Sequence, residues 1–156
     1  MNMKKILGIS LFGLMAVHTT FSQDISGSQD WKIESDYRAV ESKIVANILW
    51  LENNPLVENE TSKEVARYIM KWVLGSPHLT VKLDGYIIPI IQQANYQYVD
   101  DLQGVYLFGK MLYLIKNQNK STNEIDSMVR GIVGMLNAYD AIKQAKGMDG
   151  ANETLE

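Results

Sequence analysis

The chain is 156 residues long and 46% apolar, which fits one folded domain. Its 18 acidic and 15 basic residues, evenly mixed, argue against nucleic acid and anionic lipid headgroups, since both select clustered Lys and Arg. It has no cysteine, which excludes disulfides, a lipid-attachment cysteine and thiolate-bound metal.

Lys4 and Lys5 precede residues 6–17 (ILGISLFGLMAV), an uncharged apolar run. The run is shorter than the roughly 20 residues of a bilayer span and matches the apolar region of a secretory signal. Thr20 and Ser22 would occupy the −3 and −1 positions of a cut before Gln23, with the next bond as an alternative site. Residues 1–22 therefore read as a signal peptide, and the mature chain as periplasmic or extracellular. An uncleaved anchor or a buried helix is the competing reading. Without Lys4 and Lys5 the balance is 13 basic against 18 acidic residues, a net charge of −5. The longest later apolar run is broken by Lys110, so no integral membrane segment is expected in the mature chain.

Residues 23–30 form a small, polar, flexible leader. A first helix starts between residues 30 and 36 and runs to Asn53, with Tyr37, Val40, Ile44, Ile48 and Leu51 at spacings of three and four. Pro55 stops it, because the residue before proline disfavours helical geometry. Thr61-x-x-Glu64 has capping-box spacing and opens a second helix over 62–74 that buries Val65, Ala66, Ile69, Met70 and Val73. Gly75 reads as its left-handed terminator, with Pro77 beyond. Leu79, Val81 and Leu83 alternate with polar residues, but no second strand is available to pair them, so an extended segment across the helices is expected. A short helix over 86–97 takes Pro89 in its first turn, where a missing N–H costs nothing.

Residues 99–119 are the stretch around which the chain is organised. On a helix they are apolar almost all round, and Gln103, Lys110 and Asn117 recur every seventh residue as one narrow wet stripe. Such a helix belongs in the middle of a bundle. Asp100 and Gln103 cap its start, and residues 117–120 end it. The last helix opens with Ser121-x-x-Glu124 and buries Ile125, Val129, Ile132, Leu136, Tyr139 and Ile142, and Gly147 terminates it. Residues 148–156 form a short, frayed polar tail. Gly104 and Gly109 in one helix, and Gly131 and Gly134 in the next, each cost about 1 kcal/mol against alanine. They predict a close approach of two antiparallel helices. The fold class is all-α: a single-domain bundle of four to five helices over residues 31–147, preceded by the signal.

Chemistry is sparse. His78 is the only histidine after the signal, and with no cysteine beside it no metal site and no cofactor are expected. Its Ser-Pro-His setting reads as a surface loop. Gly-x-Ser-x-Gly, phosphate-cradling glycine loops, Glu-x-x-His and the calcium loop are all missing. Asp100 and Asp101 are adjacent and read as a cap pair rather than an acid/base pair. No catalytic residue is assigned. The tyrosines remain, and the candidate binding set is Tyr86, Tyr96, Tyr98 and Asp100, whose polar tips suit a groove for a peptide or glycan. The competing reading has these rings covering the rim of the core.

Trp50-Leu51 followed by Pro55-Leu56, then Trp72-x-x-Gly75-Ser76-Pro77, and Lys143-Gln144-Ala145-Lys146-Gly147 at the end of the last helix resemble small exported helical proteins of Bacteroidetes-type bacteria. The resemblance implies an exported helical fold and carries no activity. The expected function is a non-enzymatic binding or structural protein of the periplasm or cell envelope, with an envelope protein or peptide as partner. The alternative is an envelope enzyme or small-ligand binder using tyrosines and carboxylates in an inter-helix cleft.

Overall fold

The computed structural model describes residues 23–27, 29–56, 59–83, 85, 87–93, 95–118, 123–153 and 155. The signal segment, Tyr86 and the expected Ser121 cap lie outside them. The described residues form α1 Glu34–Ala39, α2 Glu41–Leu51, α3 Glu60–Gly75, α4 Ile87–Gln93, α5 Val99–Lys116, α6 Glu124–Lys146 and a 3-10 turn Gly147–Gly150, with no strand among them. The all-α class is as expected. The described residues hold six helices because the first expected helix is broken at Val40 (φ −106°, ψ 3°). At the break the Tyr37 carbonyl accepts the indole N–H of buried Trp72 at 3.0 Å. A buried indole donor needs such a partner.

α5 organises the bundle by joining two hydrophobic clusters. Phe108, Met111 and Leu112 pack with Ile44, Ile48 and Leu51 of α2 and with Val65, Ile69 and Trp72 of α3. Leu102 and Val105, nearer the start of α5, pack with Ile91 of α4 and with Ala138, Tyr139 and Ile142 of α6. The extended segment lies where expected, with Leu79 buried in the first cluster and Leu83 left in solvent. The stripe on α5 is not wet along its length. Asn117 is exposed and Gln103 half-buried, but Lys110 is only 2% exposed, donates to the Lys82 carbonyl at 2.7 Å and sits 5.9 Å from the centre of the Tyr106 ring. Its long apolar stem is covered while its ammonium finds polar neighbours.

α5 and α6 are antiparallel and touch at glycines. A Cβ on Gly109 would stand 2.8 Å from the Arg130 carbonyl, and one on Gly131 would stand 2.7 Å from the Tyr106 ring. Gly104 has open space beside it, so it is no part of this contact. The close approach overturns the expected buried face of α6. Ile125 is 70% exposed, Val129 52% and Leu136 47%, while Ser127, Gly131, Gly134 and Ala138 are buried with Tyr139 and Ile142. Small residues occupy the contact because only they admit it, and three of the six expected core residues turn outward.

Helix ends also differ from expectation. The Asn59 side chain caps α3 by accepting from the Ser62 N–H at 3.2 Å, two residues ahead of Thr61. Asn123 caps α6, accepting from the Asp126 N–H at 3.4 Å. α5 has Tyr98 as its N-cap with no side-chain bond, which places Asp100 inside the first turn. Gly75 is the last helical residue rather than a left-handed terminator, and the Tyr37 hydroxyl fills the space where its side chain would be. The described residues of the tail are held, not frayed: Asn152 N–H donates to the Tyr139 oxygen at 2.8 Å, and Leu155 packs on the second cluster. No helix among the described residues is long and apolar enough to cross a membrane.

Candidate functional site

Of the expected binding set, the structure places Tyr96, Tyr98 and Asp100 together at the start of α5. Tyr96 is 4% exposed and donates its hydroxyl to the Gly150 carbonyl at 2.7 Å. Burial, reinforced by neighbouring Tyr139, pushes that hydroxyl up to about 12. Its ring stands edge-on to Tyr98 at 5.4 Å and to Tyr139 at 5.6 Å. Tyr96 thus fastens the C-terminal segment, Tyr98 is half-buried against it, and Asp100 is exposed. Next to them, burial raises the Asp101 carboxyl above its usual range; Asp100 adds to the rise and Lys63 opposes it.

His78 is not a surface loop residue. Its side chain is 9% exposed, with Nε2 2.7 Å from Glu41 Oε1 and Nδ1 3.2 Å from Ser76 Oγ. Trp72 meets the ring edge-on at 6.0 Å. This is a serine–imidazole–carboxylate chain in connectivity. The cavity beside it is about 10 Å³, room for about one water and none for an acyl group. The chain ties residues 76–79 to α2.

A buried ionic cluster joins α2 to α6. Glu52 at the end of α2 is 2% exposed; Arg130 Nη2 reaches its Oε1 at 2.5 Å, and Asn137 Nδ2 donates to Oε2 at 3.3 Å. Gly134 makes room for the carboxylate, since a Cβ there would stand 2.8 Å from Oε1. Adjacent to this cluster is an open cleft of about 380 Å³ between the α2–α3 loop and the end of α6, lined by Asn53, Asn54, Pro55, Asn59, Ala141, Gln144 and Ala145. It is uncharged. Asn53 and Asn54 donate to the carbonyls four residues back, and Asn59 caps α3, so each of these amides keeps one end for other use.

The third feature is the outward face of α6, where Ile125, Val129, Val133 and Leu136 stand in one row, each at least 45% exposed. Among the described residues no group of three or more His, Asp or Glu is placed to hold a metal ion. Three of the four row residues stand out in the sequence by their helical period, but that period assigns them to the core. Nothing in the sequence points to Glu52, Arg130 and Asn137, since the latter two lie 78 and 85 residues from Glu52 and share no local pattern with it. Comparison with known proteins adds no relative: no family model, no curated protein and no solved structure matches the chain.

Proposed function

We propose that the protein is an exported, non-enzymatic helical protein of the periplasm or cell envelope that acts by binding a protein or peptide through the outward face of α6. The observation that carries the reading is the row Ile125, Val129, Val133 and Leu136. Covering a large aliphatic side chain is worth about 1.5–3 kcal/mol, and contiguous apolar rows left in water mark interaction surfaces. Lys4, Lys5 and the apolar run over 6–17 support export, as does the resemblance to small exported helical proteins.

The second reading is a small-ligand binder, and the amide-lined cleft of about 380 Å³ favours it. That volume lies within the usual range for ligand sites, and its uncharged carboxamides suit a neutral, hydroxyl-rich or peptide-like ligand.

A photo-crosslinking side chain at Leu136, compared with one at exposed Arg67 on α3, tests the first reading in the native envelope. A discrete adduct from position 136 alone is expected. No adduct, or the same adducts from both positions, would turn the assignment toward the cleft. The intact mass of the purified protein should place its first residue at Gln23 or Asp24; a mass that retains residues 1–22 contradicts export by cleavage.

A further inference from the structure

The chain just ahead of α1 is strapped onto α2 and α3. The Asp24 N–H donates to Asn47 Oδ1 at 2.8 Å, and Asn47 Nδ2 donates back to the Asp24 carbonyl at 2.8 Å. Asn47, on α2, is completely buried, so Asp24 supplies a partner to both ends of a carboxamide that water does not reach. Lys43 holds the Asp24 carboxylate at 2.9 Å and the Ser26 carbonyl at 2.9 Å. Ile25 and Trp31 pack against the first cluster, and the Trp31 ring meets Tyr68 of α3 edge-on at 5.5 Å. Gln23, immediately ahead of this clamp, is exposed.

The clamp suits the first of the two candidate cuts. A cut before Gln23 leaves the Asp24 nitrogen a peptide amide, the neutral donor that Asn47 binds. A cut before Asp24 would turn that nitrogen into an α-ammonium group close to the Lys43 ammonium, which already pairs with the Asp24 carboxylate. Like charges so placed repel.

A glutamine at an amino terminus carries its own electrophile. The neutral α-nitrogen attacks the side-chain Cδ and closes a five-membered ring. The Cδ–Nε2 bond then breaks, and ammonia leaves with the proton that the α-nitrogen gives up. No oxidant, reductant or co-reactant is consumed. An α-amino group titrates at roughly 7.7–8.0, so part of it is neutral at physiological pH. The clamp takes hold at the Asp24 nitrogen, so the α-nitrogen and the side chain of Gln23 both lie ahead of it. Ring closure needs only rotations within Gln23 itself. The lactam leaves no free α-amine from which an aminopeptidase could start. Trimming through Asp24 would strand the buried Asn47 amide without its partner.

We propose that Gln23 is a modification site: removal of the signal exposes it as the amino-terminal residue, and it closes to a pyroglutamyl lactam that seals the strap. The proposal rests on reading the protein as exported and processed.

The test is the intact mass and the amino-terminal sequence of the processed protein, expressed from its full-length chain in its own envelope and incubated at neutral pH, beside Gln23→Ala. The wild type should weigh one ammonia less than residues 23–156 and be blocked to sequencing. Gln23→Ala should show the full mass of its chain and an open amino terminus. A wild type that keeps a free glutamine after prolonged incubation, or one that begins at Asp24, overturns the lactam and leaves export standing. A missing ammonia that persists in Gln23→Ala arises at another amide and overturns the lactam as well. A chain that retains residues 1–22 removes the lactam and export together.

Discussion

The buried face of α6 carries Ser127, Gly131, Gly134 and Ala138, whereas the face turned to solvent carries Ile125, Val129, Val133 and Leu136. Ordinary amphipathic logic would bury the second set and expose the first. Two details of the inward face reverse that assignment. Gly109 and Gly131 let the α5 and α6 backbones come close enough that Tyr106 and the Arg130 carbonyl lie against them, and Gly134 admits the Glu52 carboxylate. Close backbone approach and the paired Glu52 carboxylate take up the buried face, and the four aliphatic side chains are left at the surface. The outward row is therefore the surface on which the proposed binding rests.

Substitutions on each side sharpen this contrast. The largest effect belongs to Phe108→Ala, which empties the first cluster where α5 meets α2 and α3; a loss of about 3–5 kcal/mol is expected by urea denaturation. Gly109→Leu should cost about 3 kcal/mol, because the added side chain meets the backbone of Arg130 and Gly131 rather than a movable side chain. An unchanged midpoint would deny the close contact. Glu52→Gln leaves the Arg130 guanidinium partly buried without its counter-charge and should cost about 2–3 kcal/mol. On the outward face, Leu136→Ala should shift stability by no more than about 0.5 kcal/mol while weakening the proposed binding.

The smallest effect concerns pH. The Asp101 carboxyl is raised in the folded state, so ionising it works against folding. That cost is fully present above the folded value and disappears as pH falls below the ordinary value of 3.8. Asp101→Asn should raise the urea midpoint slightly at pH 7 and leave it unchanged at pH 3. A midpoint lowered at pH 7 would mean that the carboxylate makes favourable contacts the substitution removes.

Much of this architecture is legible in the chain. The near-uniform apolarity of residues 99–119 identifies α5 as the central helix, and the glycines in α5 and α6 identify their contact. What periodicity cannot decide is which face of α6 the contact uses, because Ile125, Val129 and Leu136 share the same helical period as the small residues opposite. Cap positions slip by two residues because Asn59 and Asn123 compete with Thr61 and Ser121 as side-chain acceptors. The tyrosines stand out as a group, but nothing local says that Tyr96 reaches Gly150 or that Tyr139 meets Asn152. His78 looks peripheral for the same reason, since its partner Glu41 lies 37 residues away. The Glu52–Arg130–Asn137 cluster is invisible in the chain because it forms only when α2 lands on α6.

The orientation of α6 is the claim on which the rest depends, and thiol labelling measures it directly. The chain has no cysteine, so each introduced one reports alone. Single cysteines in place of Ile125, Val129 and Leu136 should react with a maleimide at nearly the rate of a free thiol in dilute protein. Cysteines in place of Ser127 and Ala138, which are close in size to the residues they replace, should react at least a hundredfold more slowly. The opposite order would place the aliphatic row in the core and contradict both the fold of α6 and the surface built on it.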